Sequence, residues 1–322
     1  MPFKLFFIGA ACALMACAPA LAQPYPAKPV RMIVAYPAGG SVDVVARLAT
    51  QKLTESMGRS FVVENRAGAG GNVGTDYAAK APADGYTLLM GSAAALASNP
   101  ALFVKLPFDP VRDFAPVSLI VIQPNILVVH PAIPVRSVRE FVALARSRPA
   151  ILNYGSSGIG SSQHMAAELF ANSAGVKLTH VPYKGGAPAL IDLVGGQIDL
   201  MFETMPTALP YAKSGKLRAL AITTATRAKV YPELPTLRES GLNDYEYRGW
   251  IGLLAPAGTP PEIVTRLHAE VVRAVNAGGL AAQFRDMAFD VVAGTPAEFG
   301  QFIKDEIALH RKIVSVAGIK PE

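Results

Sequence analysis

Val30-Arg31-Met32-Ile33-Val34-Ala35-Tyr36-Pro37-Ala38-Gly39-Gly40-Ser41-Val42-Asp43-Val44-Val45-Ala46-Arg47 passes from a buried-strand pattern to a helix pattern across a Pro/Gly corner. Ile33-Val34-Ala35 is apolar, as a buried strand requires. From Ser41 onward Val45, Leu48, Ala49, Leu53 and Met57 recur at helical spacing, with Asp43, Arg47 and Gln51 turned away from that stripe. Gly39-Gly40 makes the turn. Two glycines let the backbone come close to a ligand, and Ser41 is placed to cap the helix, so free N–H groups and the positive end of the helix dipole face one small volume. A carboxylate fits there. The same residues also suit the plain turn of a β-α unit, and the rest of the chain must decide between the two.

The chain opens with Lys4, an apolar run from Leu5 to Ala18, and Ala20-Leu21-Ala22 before Gln23, the plan of a secretory signal over residues 1–22. Export to the periplasm is the expectation. Leu14-Met15-Ala16-Cys17 approximates a lipoprotein box, but Met15 fits it poorly, so plain secretion is preferred to anchoring at Cys17. No later stretch is apolar for long enough to span a bilayer. Both cysteines, Cys12 and Cys17, fall within the signal, which leaves the mature chain no thiol for a disulfide, metal site or nucleophile. Residues 23–322 suffice for two lobes with buried interiors. The formal net charge of +6 is carried by scattered basic residues without aromatic interleaving, which argues against nucleic acid as partner and is compatible with an anionic small molecule.

Strands and helices alternate throughout, so the fold class is α/β with largely parallel sheets. Phe61-Val62-Val63-Glu64 reads as a second strand, followed by a glycine-rich loop, Asn65 to Asn72, and a helix through Ala79. Gly68-x-Gly70 is followed by Val73 where a dinucleotide fingerprint needs glycine, and no Gly-Lys-Ser/Thr makes it a P-loop; the loop seats close packing or rims a cleft. Tyr86 to Gly91 is a third strand ending at Ser92. Ligands gather outside the carboxyl ends of such strands, so Ser92 and the stretch to Ser98 are cleft candidates. Ala115 to Gln123, interrupted by Pro124 and resumed by Ile126 to Val129, reads as a strand passing between lobes, and Tyr247 to Trp250 as the return. The resulting division is 23–122 with 248–322 for lobe 1, and 123–247 for lobe 2. Three helices start at the capping-box patterns Ser137-Val138-Arg139-Glu140, Thr259-Pro260-Pro261-Glu262 and Thr295-Pro296-Ala297-Glu298.

The second lobe repeats the opening motif. Ile151 to Tyr154 is a strand, Gly155-Ser156-Ser157-Gly158-Ile159-Gly160-Ser161-Ser162 a Gly/Ser corner, and His164 to Phe170 the first turns of a helix. Thr179 to Gly186 leads a further strand into a corner at Tyr183, and Leu200-Met201-Phe202 ends at Glu203. One glycine-rich corner in each half is what a two-lobed binder needs to grip one anion. Chemistry for an enzyme is harder to find. Gly39-Gly40-Ser41-Val42-Asp43 ends in Asp where a hydrolase elbow needs Gly, there is no Ser-x-x-Lys, and the five histidines stand singly, so no catalytic set, metal or cofactor is expected. His164 is placed to reach the cleft, though in the first turn of a helix it also suits a structural role; Lys184 and Glu203 read as rim or solvated groups able to bias ligand choice.

Across nearly the whole mature chain these motifs resemble the substrate-binding receptors of tripartite tricarboxylate transporters, the Bug or TctC type. The resemblance is carried by Tyr36 to Arg47, Asn65 to Gly74, Ala83 to Leu89, Asp113 to Val117, Tyr154 to Gly160, His180 to Gly186 and Trp250 to Pro260. It implies a monomeric two-lobed periplasmic receptor that closes on a small carboxylate (a di- or tricarboxylate, an acidic amino acid or an aromatic acid) and hands it to a membrane permease. It also implies that Gly39, Gly40 and Ser41 face Ser156 to Ser161 across the carboxylate groups. With these, Tyr36, Asp43, Ser92, Ser157, Gly158, Gly160, His164, Tyr183 and Glu203 make up the candidate ligand-binding set. The family often has Phe at the place of Tyr36 and Asp at that of Glu203, so ligand identity stays open. A secreted hydrolase or lyase with an unrecognised site is the competing reading.

Overall fold

A computed structural model describes residues 25–276, 279–319 and 321; the signal segment and both cysteines lie outside the described residues. In chain order the first lobe lays down β1 (Val30–Val34), α1 (Ser41–Met57), β2 (Phe61–Asn65), α2 (Asn72–Ala79) and β3 (Thr87–Ser92). A π-helical segment, Ala94–Ser98, then runs into α3 (Asn99–Leu102), and β4 (Phe114–Gln123) follows. The second lobe holds β5 (Asn125–Val129), α4 (Val138–Ser147), β6 (Asn153–Ser156), α5 (Ser162–Ala174) and β7 (Thr179–Pro182). It continues with α6 (Gly186–Val194), β8 (Leu200–Thr204), α7 (Met205–Lys213) and β9 (Arg218–Ile222). The chain returns through β10 (Gly249–Pro256), α8 (Pro261–Asn276), α9 (Leu280–Asp286), β11 (Asp290–Val291) and α10 (Pro296–Val316).

Two sheets result, ordered β11-β4-β10-β3-β1-β2 and β7-β6-β8-β5-β9. The parallel pairing expected from alternating strands and helices holds for β1 with β2 and β3, and for β6 with β7 and β8. The sheets are mixed rather than parallel throughout, because β4, β5 and β10, which carry the chain between lobes, pair antiparallel to their neighbours. Pro124 separates β4 from β5 because it has no N–H to continue the ladder, and its carbonyl accepts from Met205 N instead.

Strand alternation divides the core of each lobe into two layers. In β1, Val30, Met32 and Val34 face α1, α8 and α9, while Ile33 joins the opposite layer with Leu96, Trp250 and Phe299. In β5, Leu127 and Val129 meet α4 and α5 through Phe141 and Phe170, and Ile126 and Val128 meet α6 and α7 through Leu193 and Ala208. Of the stripe that helical spacing predicts for α8, Leu267, Val271 and Val275 are buried, while Ile263, in the first turn, is half-buried. Two cap readings need correction. Thr259 does not cap α8; the helix begins at Pro261, with the Pro260 carbonyl accepting from Ile263 and Val264 N, and the Thr259 hydroxyl donates to the Pro256 carbonyl instead. Ser137 accepts from Glu140 N, but the Glu140 side chain reaches Arg136 N, which leaves half a capping box; Thr295 and Glu298 make a complete one.

The sequence reading has two strand connections between lobes, and the structure adds a third tie. Phe299, Ile303 and Ile307 of α10 pack into the first lobe, while Ile313 and Val314, farther along the same helix, are buried with Phe170, Tyr245 and Tyr247 of the second. Between these two ends lies a buried polar group. Glu306 accepts from Trp250 Nε1 at 3.1 Å, and His310 Nδ1 is 2.9 Å from Ser98 Oγ.

Candidate functional site

Both lobes turn the carboxyl ends of three adjacent parallel strands toward one mouth, the position where open α/β sheets take ligands. In the first lobe, β1 leads to Pro37–Gly40, β2 to the loop before Gly71, and β3 to Ala93 and the π-helical segment; in the second, β6 leads to Ser157–Ser161, β7 to Tyr183–Gly185, and β8 directly into α7. The corners belong to one continuous lining. A Cβ at Gly160 would stand 2.6 Å from Leu102 Cδ1 and 3.4 Å from Asn99 Oδ1, so the second-lobe corner rests on α3. Asn99 Nδ2 donates to the Gly70 carbonyl at 3.1 Å and to Asn72 Oδ1 at 2.7 Å. Beside Gly70, Tyr36 Oη lies 2.9 Å from Ser92 Oγ, which joins β1 to β3 at the lining.

The first corner is built differently from the sequence reading. Gly40, with φ −77° and ψ 169°, is the residue before the helix, and Ser41 occupies the first helical position without capping it. Asp43 turns inward rather than away and is 2 % exposed. It accepts from Gly39 N at 2.9 Å, Arg47 Nε at 2.8 Å and Asn65 Nδ2 at 2.8 Å. Burial works against its charge, but these three donors outweigh burial and hold the carboxyl below its ordinary range. Asp43 therefore fixes the corner and consumes the Gly39 N–H. The N–H groups of Ser41 and Val42, in the first turn of α1 where no intrahelical acceptor exists, remain to face an anion.

At the second corner Ser161 caps α5, accepting from His164 N at 3.3 Å, and Ser156 accepts from Gly158 N at 3.1 Å. His164 is buried, with Nδ1 taking the Gly160 N–H at 3.2 Å, and its ring stacks on His180 at 4.3 Å between centroids. Burial lowers its pKa to about 3 and that of His180 to about 4. Both rings are thus neutral props behind the corner. Ser156 Oγ lies 2.6 Å from His180 Nε2. That pair has the atoms of a hydrolytic dyad but not the setting, since Ser156 is fully buried and, among the described residues, no carboxylate bonds the other His180 nitrogen. Tyr183 is half-buried and donates to Asp192 Oδ2 at 2.7 Å. Glu203 is neither rim nor solvated; it is 2 % exposed at the end of β8, and burial raises its pKa against the hydrogen bonds from Thr207, Thr204 and Gln163.

The sequence profile described as the tripartite tricarboxylate transporter family receptor, TctC, matches residues 45–319. The chain belongs to that receptor family. It is similar to the protein BugT of Bordetella pertussis, with 38 % identity over 304 residues covering 94 % of this chain and 93 % of the relative. Among solved structures, the Rpa4515 protein of R. palustris with adipate superposes with a TM-score of 0.87 at 39 % identity, covering 92 % of this chain and all of that one (100 %). MatC of Rhodopseudomonas palustris with bound malate gives 0.82 at 34 %, covering 90 % and 100 %. The periplasmic binding protein BugD gives 0.84 at 30 %, covering 92 % and 100 %. Asn99, Gln163 and Thr207 are absent from the sequence reading; Asn99 ties α3 to the Gly70 loop and Asn72, and Gln163 and Thr207 bond Glu203. Of these Asn99 had a signal, an Asn-Pro step directly after the stretch already assigned to the cleft.

Proposed function

We propose that the chain is a periplasmic receptor that captures a small carboxylate between its lobes and delivers it to the permease subunits of a tripartite transporter. The observation that supports this reading is that each lobe carries a glycine-rich corner at the carboxyl ends of three parallel strands, with Gly160 of the second-lobe corner seated on Asn99 and Leu102 of the first lobe. The first-turn N–H groups of α1 and α5 then hold the carboxylate oxygens, with Gly40, Ser41, Ser157, Gly158 and Ser161 around them and Asn99 at the join. Tyr36 and Tyr183 flank the carbon skeleton. Asp43, His164 and Glu203 support these corners from behind. Adipate and malate in structurally similar receptors favour a dicarboxylate as ligand.

A carboxylate panel containing adipate and malate, screened by thermal shift and followed by calorimetry, tests the assignment. Each hit is also incubated with the protein to look for turnover. A ligand that touches both lobes favours the closed state and reduces the radius of gyration in solution scattering. Tight binding with an unchanged scattering profile would falsify the two-jaw account, and conversion of a hit to product would move the chain to the enzyme class.

A further inference from the structure

The end of β8 runs straight into α7, and this places Glu203 in a lopsided setting. Its Oε1 accepts from Thr204 N at 2.7 Å, Thr204 Oγ1 at 2.9 Å and Thr207 Oγ1 at 2.8 Å. Its Oε2 has one long contact, Gln163 Nε2 at 3.5 Å, the same nitrogen standing 3.3 Å from Oε1. Gly186 of α6 leaves that side open, since a Cβ there would stand 3.6 Å from Oε2. Gln163 is itself buried, 5 % exposed, and its other end takes a hydrogen bond from Ser157 Oγ at 2.8 Å. A single side chain therefore links a buried acid to a half-exposed hydroxyl of the second corner.

We propose that Glu203 sets, through Gln163, whether Ser157 offers a proton to the mouth, so that capture of a carboxylate is coupled to uptake of one proton by Glu203. The proposal rests on the reading of the mouth as a carboxylate site. With Glu203 ionised, Gln163 Nε2 donates to it, Gln163 Oε1 holds the Ser157 proton, and Ser157 turns lone pairs toward the ligand. With Oε2 protonated, Glu203 donates to Gln163 Oε1 after the amide turns over, Nε2 donates to Ser157 Oγ, and the Ser157 O–H is released toward the carboxylate. The two ends of the amide have nearly the same shape, so the exchange displaces nothing else. One proton comes from solvent, none passes to the ligand, and the added negative charge is balanced inside the lobe.

Among the described residues no charged group bonds Glu203, and Lys184, on the loop before α6, is exposed. β5 carries no titratable residue, and those on β6, α5, α6 and α7 are Tyr154, His164, Glu168, Asp192, Tyr211 and Lys213. Tyr154 bonds Glu168, His164 takes the Gly160 N–H, and Tyr183 bonds Asp192. Among the described residues none of the six is hydrogen-bonded or ion-paired to Glu203, which burial already biases toward the protonated form.

Calorimetry of adipate and malate binding, from about pH 5.5 to pH 9 in buffers of differing ionisation enthalpy, reads the coupling directly. The wild-type protein is expected to weaken by up to about tenfold per pH unit on the limb where free Glu203 is ionised, with uptake of one proton per ligand there. Glu203→Gln carries a permanent donor, so it should hold the low-pH affinity of the wild type at every pH and take up no proton. Gln163→Leu cuts the link without touching the acid and should lose both the pH dependence and about tenfold or more of the low-pH affinity. Binding without proton uptake at any pH, or parallel pH profiles in wild type and variants, overturns the relay while leaving the receptor assignment intact. Failure of both ligands and of the whole carboxylate panel to bind overturns the assignment and the relay together, before any variant is made.

Discussion

Gly40→Val is expected to abolish carboxylate binding in a protein that still folds. Gly40 sits in extended backbone at φ −77°, which valine adopts without strain, and a Cβ there meets nothing nearer than the Pro37 carbonyl at 3.9 Å. The fold should lose only the small preference for glycine over a β-branched residue before a helix, about 1 kcal/mol, or roughly 2–4 °C in Tm for a chain of this size. Binding is a different matter, because the added isopropyl group occupies the space above the Ser41 and Val42 N–H groups. Each charge-assisted hydrogen bond contributes about 1.5–3 kcal/mol net, so losing two removes roughly 3–6 kcal/mol, a weakening of about two to four orders of magnitude. Calorimetry on the ligand found in the panel, with circular dichroism to confirm folding, measures both quantities. Binding retained within a few-fold by a folded Gly40→Val protein refutes the backbone-cradle reasoning and shifts the anion elsewhere in the lining.

Three further outcomes follow from the same structure. A Cβ at Gly74 would lie 2.6 Å from the Arg66 carbonyl and 2.7 Å from Ala35 Cα, both backbone, so Gly74→Ala should destabilise the first lobe by roughly 1–3 kcal/mol; an unchanged denaturation midpoint would show that α2 can lift off β1 freely. Truncation of Ile313 to Ala, in a buried contact between α10 and the second lobe, should cost about 2–5 kcal/mol and widen the scattering profile of the unliganded protein, and a merely local effect would leave that profile as it was. Burial raises Glu306 to about 7 and lowers His310 to about 4. Between about pH 7 and 4.5 the folded chain holds a proton on Glu306 that the unfolded chain releases, so this group adds stability as pH falls, whereas His310 takes a proton only on unfolding from about pH 6.5 downward and subtracts it. Glu306→Gln should therefore make stability fall with acid more steeply than wild type, by about 1.4 kcal/mol per pH unit over that window, and thermal melts at matched pH would expose a parallel slope as a failure of this linkage.

Local periodicity made β1, the α1 stripe and the second Gly/Ser corner legible, because each is decided by residues a few places apart. Asp43 was misplaced for the same reason. Helical spacing puts it on the polar side of the helix, and only the arrival of Asn65 from β2 and the return of the Gly39 N–H give it a buried position. Glu203 reads as a solvated end of a strand until α7 is seen to follow without a loop and bring Thr207 back onto it. Thr259 had the letters of a capping box, but the helix begins one residue later than those letters imply and the hydroxyl turns back to the Pro256 carbonyl. The Thr295 box announced α10 correctly, yet nothing local says that one end of the helix packs on one lobe and the other end on its neighbour. β11, two residues long, carries too little pattern to be read at all.

The position of β10 bears on how the chain is made. It lies between β3 and β4 in the first sheet, and α10, which follows it, supplies Ile313 and Val314 to the second lobe's interior. Neither half can close its core while the last quarter of the polypeptide is still emerging. Early segments must wait with strand edges and apolar faces uncovered, the condition in which chains aggregate or recruit chaperones. For a member of a family of periplasmic receptors the same delay is useful: two lobes that both wait for β10 and α10 stay threadable for longer than lobes that seal one after the other.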